Sequence, residues 1–146
     1  MTQKKLLAAL ALAFAAHGAA QAQATPVGLW KTIDDETKTE KSLVRITEAG
    51  GALSGKVEKI LEAGKADAKC EKCTDARKDQ PVQGMTILRN ARADDHKEHW
   101  EGGDILDPNN GKVYKLRLKP LDGGKKLEVR GYIGPFFRNQ QWIRVE

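Results

Sequence analysis

The alternation of apolar and polar residues along the chain predicts strands. Between residues 113 and 119, Tyr114, Leu116 and Leu118 alternate with basic residues, so one face of this segment is buried and the other is solvated. The segment 126–133 repeats the same two-residue period. Downstream of the N-terminal segment, no window of about 11 residues shows a convincing helical period. The chain is therefore predicted to be all-β.

Short turns separate the predicted strands. The turns at 48–51, 107–111 and 121–124 are rich in Gly, Asn, Asp and Pro, which supply the backbone angles that hairpins need. A meander of about eight antiparallel strands loses its exposed edges most simply by closing into an up-and-down barrel. The predicted strands are 28–33, 42–47, 52–61, 85–90, 96–106, 113–119, 126–133 and 140–145.

The one long irregular stretch, residues 62–83, contains both cysteines of the chain, Cys70 and Cys73. Three interpretations compete for this pair. A zinc site needs four ligands, and no second cysteine pair is present. A thioredoxin-like redox centre needs a helix after a strand, which the β-rich context does not provide. A local disulfide is the favoured interpretation. An irregular segment as long as residues 62–83 tends to be functional or mobile.

Residues 1–24 have the pattern of a cleaved signal peptide. A basic start precedes an apolar run at 6–16, and small residues follow up to Ala24. The apolar run is too short for a membrane span, which needs about 20 residues. Cleavage after Ala24, or after Ala22, would leave a single domain at 25–146. No cysteine follows either cleavage site to carry a lipid, so we expect a free periplasmic or secreted protein that is a monomer.

Composition adds mainly exclusions. The 146 residues carry a net charge of +5, and removal of the two lysines at positions 4 and 5 lowers it to +3. The basic residues form no clustered stripe, which argues against nucleic acid as a partner. Neither a Gly-x-Ser-x-Gly elbow nor a phosphate-binding loop is present. His96 and His99 fall in a predicted strand, where residues three apart point to opposite faces. We therefore expect no enzyme, no metal and no cofactor.

Gly28-Leu29-Trp30, at the start of the first strand, resembles the Gly-x-Trp entry of the lipocalins and related ligand-binding barrels. The resemblance implies that Trp30 plugs one barrel end and that an arginine from near the last strand packs across its ring. Arg144 and Arg138 are the candidates for that contact.

Further blocks resemble one bacterial exported family, the domain of unknown function 2147. They are the 43–46 and 53–57 runs, the Cys70-x-x-Cys73 loop, Pro-Val-Gln-Gly at 81–84, Ile-Leu-Asp-Pro-x-Asn-Gly-Lys-x-Tyr at 105–114, Arg-Gly-Tyr-Ile-Gly at 130–134 and Gln-Trp-x-Arg at 141–144. The resemblance implies a small exported β-rich protein and carries over no catalytic residue. Residues 135–139 depart from the family pattern, since a Gly is expected before the Arg.

Three functions are then compared. The first is a non-enzymatic barrel that binds a small apolar or amphiphilic ligand, although a chain of this size could fill its interior with side chains. The alternative is a structural or interaction module of the cell envelope, in which the Cys loop and the basic strand faces contact an envelope protein or an anionic surface. An enzyme ranks last. The candidate ligand-lining residues are Leu53, Val57, Ile87, Leu116, Leu118 and Val129.

Overall fold

A computed structural model describes residues 24–146, so nearly all of the predicted signal peptide lies outside the described residues. The described chain folds into a closed antiparallel barrel, which confirms the predicted fold class. Its eight strands are β1 Gly28–Ile33, β2 Glu40–Ala49, β3 Ala52–Ile60, β4 Thr86–Ala93, β5 Trp100–Leu106, β6 Val113–Leu121, β7 Lys126–Ile133 and β8 Phe136–Arg144. A short 3₁₀ turn, Asp122–Gly124, joins β6 to β7.

Every strand pairs with its neighbour in the chain, and β8 pairs with β1 to close the barrel. This seam is short, with only Trp30 opposite Arg144 and Lys31 opposite Ile143. Two backbone hydrogen bonds lengthen it: the amide of Leu29 donates to the carbonyl of Glu146, and the amide of Val145 donates to the carbonyl of Leu29, both at 2.8 Å. Closure leaves none of the eight strands with an unpaired edge.

Two strands begin four residues away from the prediction, and the other boundaries differ by at most three residues. β5 begins at Trp100 instead of residue 96, because Asp94 closes a turn in which its Oδ1 accepts the amide of Glu98 at 2.9 Å. His96 and His99 therefore lie in the turn before β5, not within a strand.

β8 begins at Phe136 instead of residue 140, because Gly134 (φ +55°) allows a tight turn that pairs Ile133 with Phe136. Residues 136–139 thus belong to a strand and not to an irregular turn. The two-residue period of β7 places Ile133 on the same face as the buried Leu127 and Val129, but Ile133 is 47% exposed because it lies at the end of the strand.

Alternating inward residues of all eight strands form one hydrophobic core. Trp30 and Trp142 are the two largest side chains that are almost fully buried. The loops 34–39, 61–85 and 107–112 and the turn 134–135 all lie at one end of the barrel, which we call the mouth. The opposite end, which holds the chain ends and Trp30, we call the plugged end.

The plugged end is closed by a contact between the first and last strands. Cζ of Arg144 lies 4.2 Å from the ring centroid of Trp30. The Trp30 indole donates to the carbonyl of Pro26 at 2.7 Å. Gly28 adopts φ +143°, and a Cβ there would lie 2.5 Å from the backbone carbonyl oxygen of Glu146 and 2.5 Å from a guanidinium nitrogen of Arg144, so this approach requires glycine.

Arg144 also joins the N-terminal segment and the β6–β7 turn to its own strand, β8. Its guanidinium donates to the carbonyls of Thr25, Val27 and Gly124, the bond to Val27 measuring 2.9 Å. Burial lowers the pKa of this guanidinium, which is the cost of placing a charge there. Arg138 lies at the mouth instead, so the structure assigns Arg144 to the position across Trp30.

We predict that Arg144→Ala lowers the free energy of unfolding by about 2–4 kcal/mol, because three carbonyls lose their donor and the Trp30 ring loses its cation. The matched control is Arg138→Ala, which removes the surface ion pair with Asp35. Such a pair contributes no more than about 1 kcal/mol to the free energy of unfolding. Urea denaturation of both variants measures the difference. Equal losses in the two variants would contradict the assigned role of Arg144.

Candidate functional site

A cavity of about 670 Å³ occupies the mouth half of the barrel. Its walls come from the strand segments nearest the mouth, and part of its cover comes from residues 62–72 and Val82 of the segment between β3 and β4. Exposed residues such as Lys65 and Lys72 belong to the lining, so the cavity communicates with solvent at this end. The barrel therefore has one plugged end and one accessible end.

One part of the wall is apolar. Val57, Ile87 and Val129 line it from β3, β4 and β7, and Ile105 adds to it from β5. Trp142 contributes from β8 and is 2% exposed. Such a surface suits a ligand with an apolar body.

Another part of the wall, on β1, β2 and β8, is polar. Oγ1 of Thr32 and Oγ of Ser42 lie 2.8 Å apart, and the amide of Ser42 donates to Oγ1 of Thr32 at 3.1 Å. Only one hydroxyl proton is used between the two side chains, so the pair can offer its second proton to a ligand. Gln140 also lines the cavity, and its Oε1 accepts the indole proton of Trp142 at 3.1 Å.

Charged side chains surround the mouth in pairs. The guanidinium of Arg138 donates to both carboxylate oxygens of Asp35, at 3.2 and 2.5 Å. This hydrogen bond to Arg138 lowers the pKa of Asp35 below its usual range. Nζ of Lys41 lies 3.1 Å from Glu62 and 4.0 Å from Asp34. Lys41 and Arg138 therefore each have an acidic partner on this side of the mouth.

The disulfide segment, residues 61–85, packs over the mouth. Cys70 and Cys73 form a disulfide, as predicted from the sequence, and both are buried at 2% exposure or less. The amide of Cys70 donates to the carbonyl of Gln80 at 2.9 Å, and the amide of Asp79 donates to the carbonyl of Cys70 at 2.8 Å. The bond thus lies at the centre of a folded cap.

Gly111 seats this cap against the loop between β5 and β6. A Cβ at Gly111 would lie 1.9 Å from the carbonyl oxygen of Lys72 and 2.9 Å from the amide of Cys73. Backbone atoms cannot move aside as a flexible side chain can, so only glycine permits this contact. Gly111 also has φ +73°, which favours glycine independently.

The sequence-predicted ligand residues divide into two groups. Val57, Ile87 and Val129 line the cavity. Leu53, Leu116 and Leu118 are buried in the core but are not part of the lining. Sequence reasoning did not select Thr32, Ser42, Gln140 or Trp142 as lining residues. The two-residue period of β8 was an available signal for Gln140 and Trp142. Residues 138, 140 and 142 share one face of the strand, and all three line the cavity.

Other chemistry considered from the sequence lies elsewhere. His99 is in the turn before β5, with Nδ1 3.4 Å from Asp94 and away from the cavity. Within residues 24–146, no cluster of three or more His, Cys, Asp or Glu side chains is arranged to hold a metal ion. In the same range, no helix is long and apolar enough to cross a membrane.

Comparisons with known proteins agree with this geometry. Residues 28–144 match the family described as "Uncharacterized protein conserved in bacteria (DUF2147)". Among solved structures, a protein from the human pathogen Helicobacter pylori, described as belonging to the lipocalin family, is 18% identical with a TM-score of 0.71, and the match covers 84% of each chain. At this identity the likeness concerns the fold alone. No curated protein matches the chain.

We predict that Gly111→Ala displaces the disulfide segment from the mouth, because its Cβ meets the backbone of residues 72 and 73. The matched control is Gly123→Ala, which has a similar φ of +66° and no atom within 4 Å of the new Cβ. Both variants carry backbone strain of about 1–2 kcal/mol. Limited proteolysis with mass mapping should show faster cleavage within 61–85 only in Gly111→Ala, and equal cleavage would contradict the seating role.

A second prediction concerns how the contribution of Asp35 to stability depends on pH. Because the pKa of Asp35 is lowered in the fold, its pairing with Arg138 stabilises the protein above the unfolded carboxyl pKa of about 3.9, and this stability is lost as the pH falls through the folded pKa. Asp35→Asn should therefore lower stability by at most about 1 kcal/mol at neutral pH, and the deficit should vanish in acid. Urea titrations at several pH values test this, with exposed Glu36→Gln as control. A deficit that persists unchanged in acid would contradict it.

Proposed function

The chain belongs to the DUF2147 family of bacterial proteins, and we propose that it is an exported, non-enzymatic barrel that binds a small apolar or amphiphilic molecule. The observation that carries the proposal is the cavity of about 670 Å³ between the plugged end and the disulfide segment. Pockets for small ligands commonly measure about 300–1,000 Å³. A barrel filled by its own side chains would have no such space.

The division of the wall suggests the chemistry of the ligand. The apolar part, with Val57, Ile87 and Val129, favours a hydrocarbon or ring body. The hydroxyls of Thr32 and Ser42 favour one hydrogen-bonding group on the same molecule. An amphiphile satisfies both parts of the wall, whereas a purely apolar ligand would leave the hydroxyl pair without a further partner.

The side chains at the cavity favour binding over catalysis. A general acid or base that works near neutral pH needs a pKa close to that range. Asp34, a carboxylate that lines the cavity, has its pKa lowered below the usual value, chiefly by a hydrogen bond from the backbone amide of Thr37, so it does not meet this requirement. The hydroxyls of Thr32 and Ser42 are hydrogen-bonded to each other, without a histidine among the residues that line the cavity.

The periplasm is the compartment that we propose. The basic and apolar N-terminal pattern up to Ala24 is that of an export signal. The Cys70–Cys73 disulfide supports this, since such bonds persist in oxidising compartments. A soluble carrier in that space would shield an apolar molecule from water between membranes.

The first test of the proposal is native mass spectrometry of the protein taken gently from the periplasm of its own host, followed by organic extraction. We expect a stoichiometric extra mass that disappears on extraction. A bare protein mass would instead favour the alternative, an envelope module that acts through its surface.

Trp142 provides a second readout of binding within the cavity. A fatty acid with a brominated chain quenches a tryptophan only at close contact, and Trp142 is the only one of the three tryptophans among the lining residues. We predict saturable quenching in the wild type, little quenching in Trp142→Phe and normal quenching in Trp100→Phe. Fluorescence titration measures it, and quenching that survives in Trp142→Phe would place the probe outside the cavity.

A further inference from the structure

Exposed apolar side chains gather at one point of the mouth. Within residues 24–146, six large hydrophobic residues are exposed, and four of them adjoin the turn between β7 and β8 or the start of β6. We call these four the tip patch: Val113 (42% exposed), Ile133 (47%), Phe136 (77%) and Phe137 (54%). The other two, Ile143 and Val145, lie toward the plugged end. Single exposed apolar residues are ordinary, but a group of this kind marks an interaction site.

The tip patch is held in position by its neighbours. Ile133 pairs with Phe136 across the turn, and Tyr132 pairs with Phe137 one step further along the hairpin. The rings of Tyr132 and Phe137 lie 6.0 Å apart, and Cζ of Arg130 lies 4.4 Å from the centroid of Phe137. The aromatic side chains therefore project from a hairpin that is held by strand pairing and by the contacts of Phe137 with Tyr132 and Arg130.

Basic side chains flank the patch. Lys112 and Lys115 are exposed at the mouth end of β6, and neither takes part in an ion pair within the described chain. Asp104, which lies opposite Lys115 on β5, pairs with Arg89 at 3.0 Å. Arg130 lies 3.7 Å from Glu128, and Arg138 is paired with Asp35, so these two contribute less. Two lysines next to exposed phenylalanines favour an anionic partner.

We propose that the tip patch docks the protein on an anionic lipid bilayer, with the phenylalanines in the interface and Lys112 and Lys115 at the lipid headgroups. The patch lies at the end of a hairpin, with Ile133 and Phe136 on one face and Phe137 on the other, and both faces can enter a fluid interface without a complementary pocket. Aromatic residues are favoured at the membrane–water boundary, and nearby lysines are attracted to anionic lipids. The inference goes beyond ligand binding and does not depend on it.

The location of the patch gives the docking a direction. The tip patch and the cavity share the mouth, so the docked protein presents its accessible end to the bilayer. Neither a short apolar tip nor two lysines alone would hold a protein firmly, because stable attachment usually needs two signals together. The docking is therefore expected to be reversible and to weaken as ionic strength rises.

Vesicle sedimentation tests the proposal. The protein is purified as the cell makes it, and its intact mass is recorded so that the N-terminus is known. It is then mixed with vesicles that contain phosphatidylglycerol or with pure phosphatidylcholine vesicles. We expect binding to the anionic vesicles that declines with added sodium chloride. Phe136→Ser/Phe137→Ser should reduce binding about tenfold or more, and Phe136→Ser alone should reduce it less. Lys112→Glu/Lys115→Glu should abolish the preference for anionic vesicles.

The matched control is Ile143→Ser/Val145→Ser, which removes the two exposed apolar residues toward the plugged end. It should bind like the wild type, and unchanged melting curves establish that every variant is folded. Equal binding by wild type and Phe136→Ser/Phe137→Ser would overturn the proposal, as would equal loss in the control variant. The proposal would also be overturned if the protein did not bind vesicles. Saturable binding to a purified envelope protein would then identify a protein as the partner of the tip patch. Failure here leaves the cargo measurement intact, because that experiment uses no vesicles.

Discussion

Closure of the sheet between β1 and β8 is the constraint on which the rest of this structure depends. The seam has few residue pairs, so the contact between Arg144 and Trp30 carries much of the connection between the chain ends. Arg144 binds carbonyls from the N-terminal segment and from the β6–β7 turn, which the strand ladder does not reach. Once this end is filled by side chains, the opposite half of the barrel can remain open without losing the fold.

Much of the architecture was accessible from the sequence because strands carry a two-residue period. β6 and β7 were located well since leucines and charged residues alternate through them. The start of β8 was not located from the sequence, because Phe136, Phe137 and Arg138 do not alternate between apolar and polar. They lie at the end of the barrel, where no core buries them. Hydrophobic patterning reports burial, so it loses its information where a strand extends beyond the core.

The cavity could be predicted only in part. Val57, Ile87 and Val129 face the interior by parity, but parity cannot distinguish a residue that lines a void from one that fills the core, as Leu116 and Leu118 do. That distinction depends on the height of each residue along the barrel axis. The Gly-x-Trp pattern left Arg144 and Arg138 as alternatives, and only the placement of β8 relative to β1 separates them.

The two ends of the barrel are stabilised by different means. The plugged end joins residues more than 100 positions apart in sequence, for example Arg144 with Val27, so it is formed only when the barrel is complete. The Cys70–Cys73 bond spans a separation of three residues and constrains the unfolded barrel very little. Its contribution is local, because it orders the cap that Gly111 seats over the mouth. The contacts that order the cap are therefore separate from those that close the sheet between β1 and β8.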